Sequence, residues 1–124
     1  MSTDKVIYIS KLIEAKIKAL DELMAKLEES ANEKATALAD YEKEIAKKII
    51  ALRNGEQFEI DGNIIDATPI TLAEKVARGI CWKECLLRDQ AESQYKNIIK
   101  QLDVICAQLN GYQSINRYLS EMPE

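Results

Sequence analysis

The chain has 124 residues, of which 47% are apolar, so it is long and apolar enough for a single folded domain over residues 1–124 and is not expected to be disordered. Its 4 glycines, 2 prolines and single phenylalanine are typical of long helices and exclude an all-β fold. The 21 acidic and 17 basic residues are interspersed and give a net charge of −4, which leaves no block of one sign to bind nucleic-acid phosphates or a membrane surface.

An apolar stripe predicts a first helix over about residues 4–53. Its members recur in steps of three and four residues, which is the period of one helix face. Asn54-Gly55 is a typical C-terminal stop. The stripe comprises Val6, Ile9, Ile13, Ile17, Leu20, Met24, Leu27, Ala31, Ala35, Leu38, Tyr41, Ile45, Ile49 and Leu52.

Two short β-prone segments follow the first helix. They flank Asp61-Gly62, a dipeptide that favours a type I′ turn, and so predict a β-hairpin over about residues 56–66. Because an isolated hairpin is only marginally stable in water, we expect this one to lean on the helices, to pair with another chain or to stay mobile.

A second helix is predicted over about residues 71–109. Thr71-Leu72-Ala73-Glu74 fits a capping box and would start the helix. Asn110-Gly111 would kink or end it, before a short final helix over about residues 112–121. The second stripe comprises Leu72, Val76, Ile80, Leu87, Ala91, Tyr95, Ile98, Leu102, Ile105, Leu109, Tyr112 and Leu119.

The two helices match in length if the chain reverses at the β-hairpin. The resulting antiparallel register places Leu27 near Ile98, and Tyr41 across from a polar gap in the second stripe at Lys83 and Glu84. The predicted fold is therefore mainly all-α: a long antiparallel helical hairpin, or coiled coil, with a small β-hairpin at the connection.

Both helices also carry large apolar residues outside their main stripes. Leaving them in water would forfeit several kcal/mol, at roughly 25 cal/mol per Å² of apolar surface. We therefore expect a homo-oligomer, a dimer or larger, although a different protein with a complementary helix would serve equally. The predicted function is that of a non-enzymatic interaction protein, such as a scaffold, inhibitor or adaptor. These outer residues are Ile7, Leu12, Leu23, Ile50, Leu86, Ile99, Val104 and Ile115.

Catalytic and metal chemistry are not expected. The chain has no histidine, the commonest general base and zinc ligand. Cys81, Cys85 and Cys106 are too few for a four-thiolate zinc site, so we expect small apolar side chains, with a disulfide or a metal shared between chains as the alternative. Their odd number and the lack of a signal peptide predict a reducing cytoplasm, and no apolar run approaches the roughly 18 residues that span a bilayer. No cofactor is expected.

A cationic ridge with an aromatic centre is the first candidate site. Lys75, Arg78 and Trp82 follow i, i+3, i+7 spacing, with Gly79 among them and Lys83 and Arg88 beyond. Such a ridge suits stacking on a nucleobase and pairing with phosphate. Alternatively, Trp82 packs against a second subunit and Gly79 permits close helix crossing.

The second candidate site lies near the predicted bend. Tyr112 and Arg117 stand in a segment that mixes aromatic, amide and guanidinium groups, although the segment could equally be a helix end that finishes the core. In the hairpin register it lies far from the cationic ridge, so the two could meet only across an oligomer interface. A small anionic ligand, such as a nucleotide held between subunits, is thus the alternative function.

The order of helix, β-hairpin and helix at this length resembles the layout of prefoldin subunits, which are coiled-coil chaperones assembled through their hairpins. The resemblance is one of layout, with no motif to map residue by residue. It implies a third possible function, that of a prefoldin-like chaperone.

Overall fold

A computed structural model describes residues 3–65 and 69–122, and it confirms the predicted fold class. The structure is 87% helical, with α1 packed against α3 and a small antiparallel β-hairpin between them. In chain order the elements are α1 (Thr3–Arg53), β1 (Phe58–Ile60), β2 (Asn63–Ile65), a 3₁₀ turn (Ile70–Leu72), α2 (Ala73–Ile80) and α3 (Trp82–Glu121).

The chain divides into two compact units. The first consists of Met1–Ser30 and Gln94–Glu124, and the second is the intervening stretch Ala31–Ser93. Each unit contains one part of α1 and one part of α3, so each has its own pair of packed helices.

The inner face of α1 differs from the predicted stripe in its middle section. Ile17 and Met24 were predicted to face inward but are 45% and 53% exposed, whereas Leu23 is half-buried and Ser30 is buried. The true face keeps a strict alternation of three and four residues, which holds one side of a helix against its neighbour. The place of Ser30 on the inner face of α1 therefore determines that it is buried, although serine is polar. Its hydroxyl oxygen has no hydrogen-bond partner among the described residues.

In the first unit, the second stripe is confirmed. Its α3 members are buried or half-buried, and together with Asn116 we name them the inner seam. Ile98 and Leu109 are its most buried side chains, at 7% and 8% exposure. The inner seam comprises Tyr95, Ile98, Leu102, Ile105, Leu109, Tyr112, Asn116 and Leu119.

In the second unit, small side chains form the buried face of α2. Ala73, Ala77 and Cys81 are at most 2% exposed, whereas the predicted stripe member Leu72 is 46% exposed. Leu87, predicted to lie in the same stripe, is also exposed, at 59%. The inward face is therefore rotated by one residue from the predicted one, because small side chains allow close packing where larger ones would not fit.

The predicted ends of the second helix are wrong at both positions. Thr71 lies inside the 3₁₀ turn rather than capping a helix, and α2 begins only at Ala73, with no side-chain cap. At the other end, α3 continues through Asn110-Gly111 to Glu121 without a break. A helical glycine costs only about 1 kcal/mol, and the packed inner seam on both sides of Gly111 outweighs that cost. The helix is interrupted instead at Cys81, where φ is −91° and ψ is 31°.

The β-hairpin has the predicted turn and leans on the helices. Asp61 and Gly62 both have positive φ, at 50° and 81°, which marks a type I′ turn. Phe58 pairs with Ile65, and the Nζ atom of Lys48 on α1 lies 5.4 Å from the centre of the Phe58 ring. The predicted hairpin end at residue 66 lies outside the described residues.

Gly79 on α2 lies beside the hairpin. A Cβ atom placed on Gly79 would come within 3.9 Å of the Cδ1 atom of Ile60 on β1. That distance is ordinary van der Waals contact, so a small side chain at this exposed position would touch Ile60 without a clash.

Candidate functional site

The structure places the cationic ridge on the surface of the second unit. Lys75, Arg78 and Trp82 are all exposed, and the indole is 55% accessible. Arg78 donates to a carboxylate oxygen of Glu74 at 2.6 Å, while the cation over the indole is Lys83, whose Nζ atom lies 5.6 Å from the ring centre. Within the predicted site, the cation over the indole is therefore that of Lys83 rather than that of Lys75 or Arg78.

Arg88 faces α1 instead of joining the ridge. Its guanidinium carbon lies 4.1 Å from the centre of the Tyr41 ring, a cation–π contact, and its Nη2 atom lies 3.0 Å from Asp89 Oδ1 and 3.4 Å from Cys85 Sγ. The hydrogen bond to Asp89 raises the pKa of the guanidinium above its ordinary value. The side chain of Arg88 is only 29% exposed and already contacts Tyr41 and Asp89, so Arg88 contributes to the packing of α3 against α1.

Of the predicted polar gap, Glu84 lies in a half-buried polar layer of the second unit, whereas Lys83 is exposed. On α1, Glu44 pairs with Lys48 at 3.8 Å, and both side chains are less than a third exposed. Cys81 lies close to both groups and to Glu84; burial is the main cause that raises the pKa of its thiol, and the Glu84 carboxylate adds to the rise. A protonated, buried thiol is a poor nucleophile, so Cys81 acts as a small packing residue.

Tyr112 and Arg117 belong to the first unit, whereas the cationic ridge belongs to the second. Tyr112 is half-buried in the inner seam, and Arg117 is exposed on the same uninterrupted helix. The predicted segment is therefore neither a bend nor a helix end.

The described residues contain no cluster of metal-ligating side chains. Over 3–65 and 69–122, no group of three or more histidine, cysteine or carboxylate side chains could hold one. Within the same ranges, none of the helices has the length and apolar character that crossing a bilayer requires.

Known proteins provide no relative from which a function could be transferred. No protein family, curated protein or solved structure matches this chain.

A row of exposed apolar side chains lies on α3 in the first unit. Four large side chains there are between 38% and 66% exposed. Together with Gln108 and Gly111 they form a row in alternating steps of four and three residues, the spacing of a coiled-coil contact. We name this row the outer seam: Val104, Gln108, Gly111, Ile115, Tyr118 and Met122.

The outer seam runs beside the inner seam on the same helix. The two rows are offset by six residues, which at 3.6 residues per turn places them about 120° apart around the axis. From the sequence, only Val104 and Ile115 stand out, as separate residues off the main stripe, because the expected helix end at Asn110-Gly111 divides the row. The signal that would have found the seam was its unbroken spacing to Met122.

An open apolar groove lies beside the outer seam. Its volume is about 310 Å³, and one of its lining residues, Val104, is also a member of the seam. The other lining residues are Leu23 on α1 and Lys100, Gln101 and Ile105 on α3. The first unit therefore combines a protruding apolar row with an adjacent apolar depression.

Proposed function

We propose that this chain is a non-enzymatic, oligomeric helical interaction protein that acts through protein–protein contacts. The observation that carries the proposal is the number of large apolar side chains that both units leave in contact with water. A continuous row of such side chains on a folded protein, such as the outer seam, usually marks an interaction surface. The exposed side chains include Ile7, Tyr8, Ile17, Met24, Val104, Ile115, Tyr118 and Met122 in the first unit, and Leu38, Ile50, Trp82, Leu86 and Leu87 in the second.

The total accessible surface of the chain supports the same proposal. A single copy exposes 8968 Å². Folded monomeric proteins of this mass expose about 6,700 Å² by the usual scaling of surface with mass. Since a larger exposed surface means less apolar burial per residue, association with further chains would recover the difference.

Thermal unfolding at several protein concentrations tests the proposal. Because an oligomer is stabilised by mass action, we expect Tm to rise by roughly 5 °C or more between about 1 and 100 μM chain. Far-UV circular dichroism can record the transition, since the structure is 87% helical. A Tm that stays constant over this range would contradict self-association.

The state of the cysteines favours a reducing compartment for this protein. Cys81, Cys85 and Cys106 are all free thiols, and Cys106 is exposed on α3. Exposed free thiols are typical of proteins that stay in the reducing cytoplasm. We therefore keep the cytoplasm as the proposed location.

The second candidate function is the binding of a small aromatic anion. The exposed indole of Trp82, with the Lys83 ammonium group nearby and Lys75 on the preceding helix, favours it. A panel of nucleotides should then raise Tm and quench the fluorescence of Trp82, the only tryptophan in the chain. Replacing Lys75 with alanine should weaken the quenching, whereas an unchanged spectrum with every nucleotide would remove this candidate.

A further inference from the structure

We propose that a second copy of this chain docks on the outer seam of α3, with the two α3 helices antiparallel and Lys100 of each copy opposite Glu121 of the other. The proposal rests on the proposed self-association and names its surface, its partner and its direction. It concerns the first unit, since Lys100, Glu121 and the outer seam all lie there.

The seam geometry indicates an α-helix as the occupant. The outer seam alternates steps of four and three residues over its whole length, which is the spacing that fits the side chains of one helix between those of another. The inner seam of α3, about 120° away, already packs within the hairpin. A helix with two seams at such an angle contacts two neighbours, as each helix of a four-helix bundle does.

The charges beside the outer seam indicate a second copy in antiparallel orientation. Lys100, Ala107, Ser114 and Glu121 are seven residues apart, are all exposed and form one row along an edge of the seam. The row has a cation at one end, an anion at the other and small side chains between. When two such rows meet head to tail, each Lys100 lies opposite Glu121 of the other copy, and Ala107 lies opposite Ser114.

A parallel arrangement would lose this complementarity. In a parallel pair the charged row of one helix faces the opposite edge of the other helix. That edge is formed by Ile105, Tyr112 and Leu119, which belong to the inner seam and are half-buried inside the hairpin. Lys100 and Glu121 would then have no partner of opposite charge, so the charge pattern favours the antiparallel pair.

The antiparallel register also pairs large side chains with small or apolar ones. Val104, 56% exposed in one copy, comes opposite Ile115 of the second copy, itself 46% exposed. Gly111 comes opposite Gln108, and a Cβ atom placed on Gly111 would meet nothing within 4 Å in a single chain. The centre of the contact is therefore open enough to receive a glutamine side chain.

The groove beside the seam provides space for an aromatic ring. The register places Tyr118 of the second copy opposite Gln101, which lines the groove of about 310 Å³ together with Leu23. Tyr118 is 66% exposed in a single chain, so its ring is available to enter the groove. In the symmetric pair, Tyr118 of each copy thus enters the groove of the other copy, so the same contact forms twice.

Charge exchange tests the proposed register. Lys100→Glu and Glu121→Lys each place like charges opposite one another at two symmetric contacts, so each should weaken self-association by about tenfold. The double variant Lys100→Glu/Glu121→Lys restores opposite charges and should return the dissociation constant to within about threefold of the unmodified chain. Sedimentation equilibrium at low ionic strength measures all three, because salt screens exposed pairs.

Two matched variants control for the change in net charge. Lys18→Glu and Glu14→Lys make the same reversals at exposed positions on α1, away from the outer seam, and should leave the dissociation constant nearly unchanged. If the unmodified chain associates but the α3 variants behave like these controls, the proposed register is wrong while the proposed function stands. If the unmodified chain is a monomer, both are wrong.

Discussion

Replacing Ile98 with alanine should lower the free energy of unfolding by about 2–4 kcal/mol. The side chain is 7% exposed and lies in the inner seam, where α3 packs in the first unit. Its loss removes buried methyl and methylene groups and leaves a cavity that a pair of rigid helices cannot fully close. Urea unfolding followed by circular dichroism, at one fixed protein concentration, measures the change.

The neighbouring residue supplies the control for this substitution. Ile99→Ala removes the same atoms one position along the same helix, but Ile99 is 36% exposed. We expect it to cost less than half as much as Ile98→Ala, because less apolar surface is returned to water. Equal losses at the two positions would show that the inner seam does not face the direction described here.

Replacing Ile115 with glutamate should weaken self-association by about a hundredfold or more. In the proposed antiparallel pair the new carboxylate would face Val104 of the second copy and lose hydration, while Lys100 of that copy, one turn away, is already paired with Glu121. The single chain should fold normally, since Ile115 is 46% exposed and glutamate is at least as good a helix former as isoleucine. Sedimentation velocity over a range of concentrations measures the effect.

Gln113→Glu is the matched control, because it adds the same charge two residues earlier, at an exposed position outside the outer seam. Its dissociation constant should stay within about threefold of the unmodified value. Circular dichroism should show equal helix content in both variants. An Ile115→Glu chain that associates as tightly as the control would exclude the outer seam as the contact surface.

Local signals in the sequence were sufficient for the main elements of the fold. The end of α1 before Gly55 and the type I′ turn at Asp61-Gly62 both depend on positive φ angles that glycine adopts without strain. The helical hairpin followed from two long apolar stripes joined by that turn. In each of these cases the chemistry of a few neighbouring residues decides the local structure.

The errors arose where packing outweighed local preference. Thr71 had the sequence of a helix cap but lies within a 3₁₀ turn, and Gly111 had the character of a helix end but lies inside α3. Ser30 is buried in place of the more apolar Ala31, because the regular spacing of the inward face determines which position is covered. No single-residue propensity contains that information.

The candidate site was only partly predictable from the sequence. Exposure of Lys75, Arg78 and Trp82 followed from their place beside the apolar stripe. The contact of Arg88 with Tyr41 could not be predicted from the sequence, because it depends on the register between two helices distant in sequence. The outer seam was hidden for a different reason, since the assumed helix end at Gly111 separated residues that share one continuous face.

The mass of the unmodified chain in native solution tests the central claim most directly. A single chain has a mass of 14.0 kDa. Because its helices leave large apolar side chains in water, we predict that sedimentation equilibrium at micromolar concentration will give at least twice that mass, falling toward it on dilution. A mass of one chain at every concentration up to about 100 μM would contradict the claim that this protein functions by associating with itself.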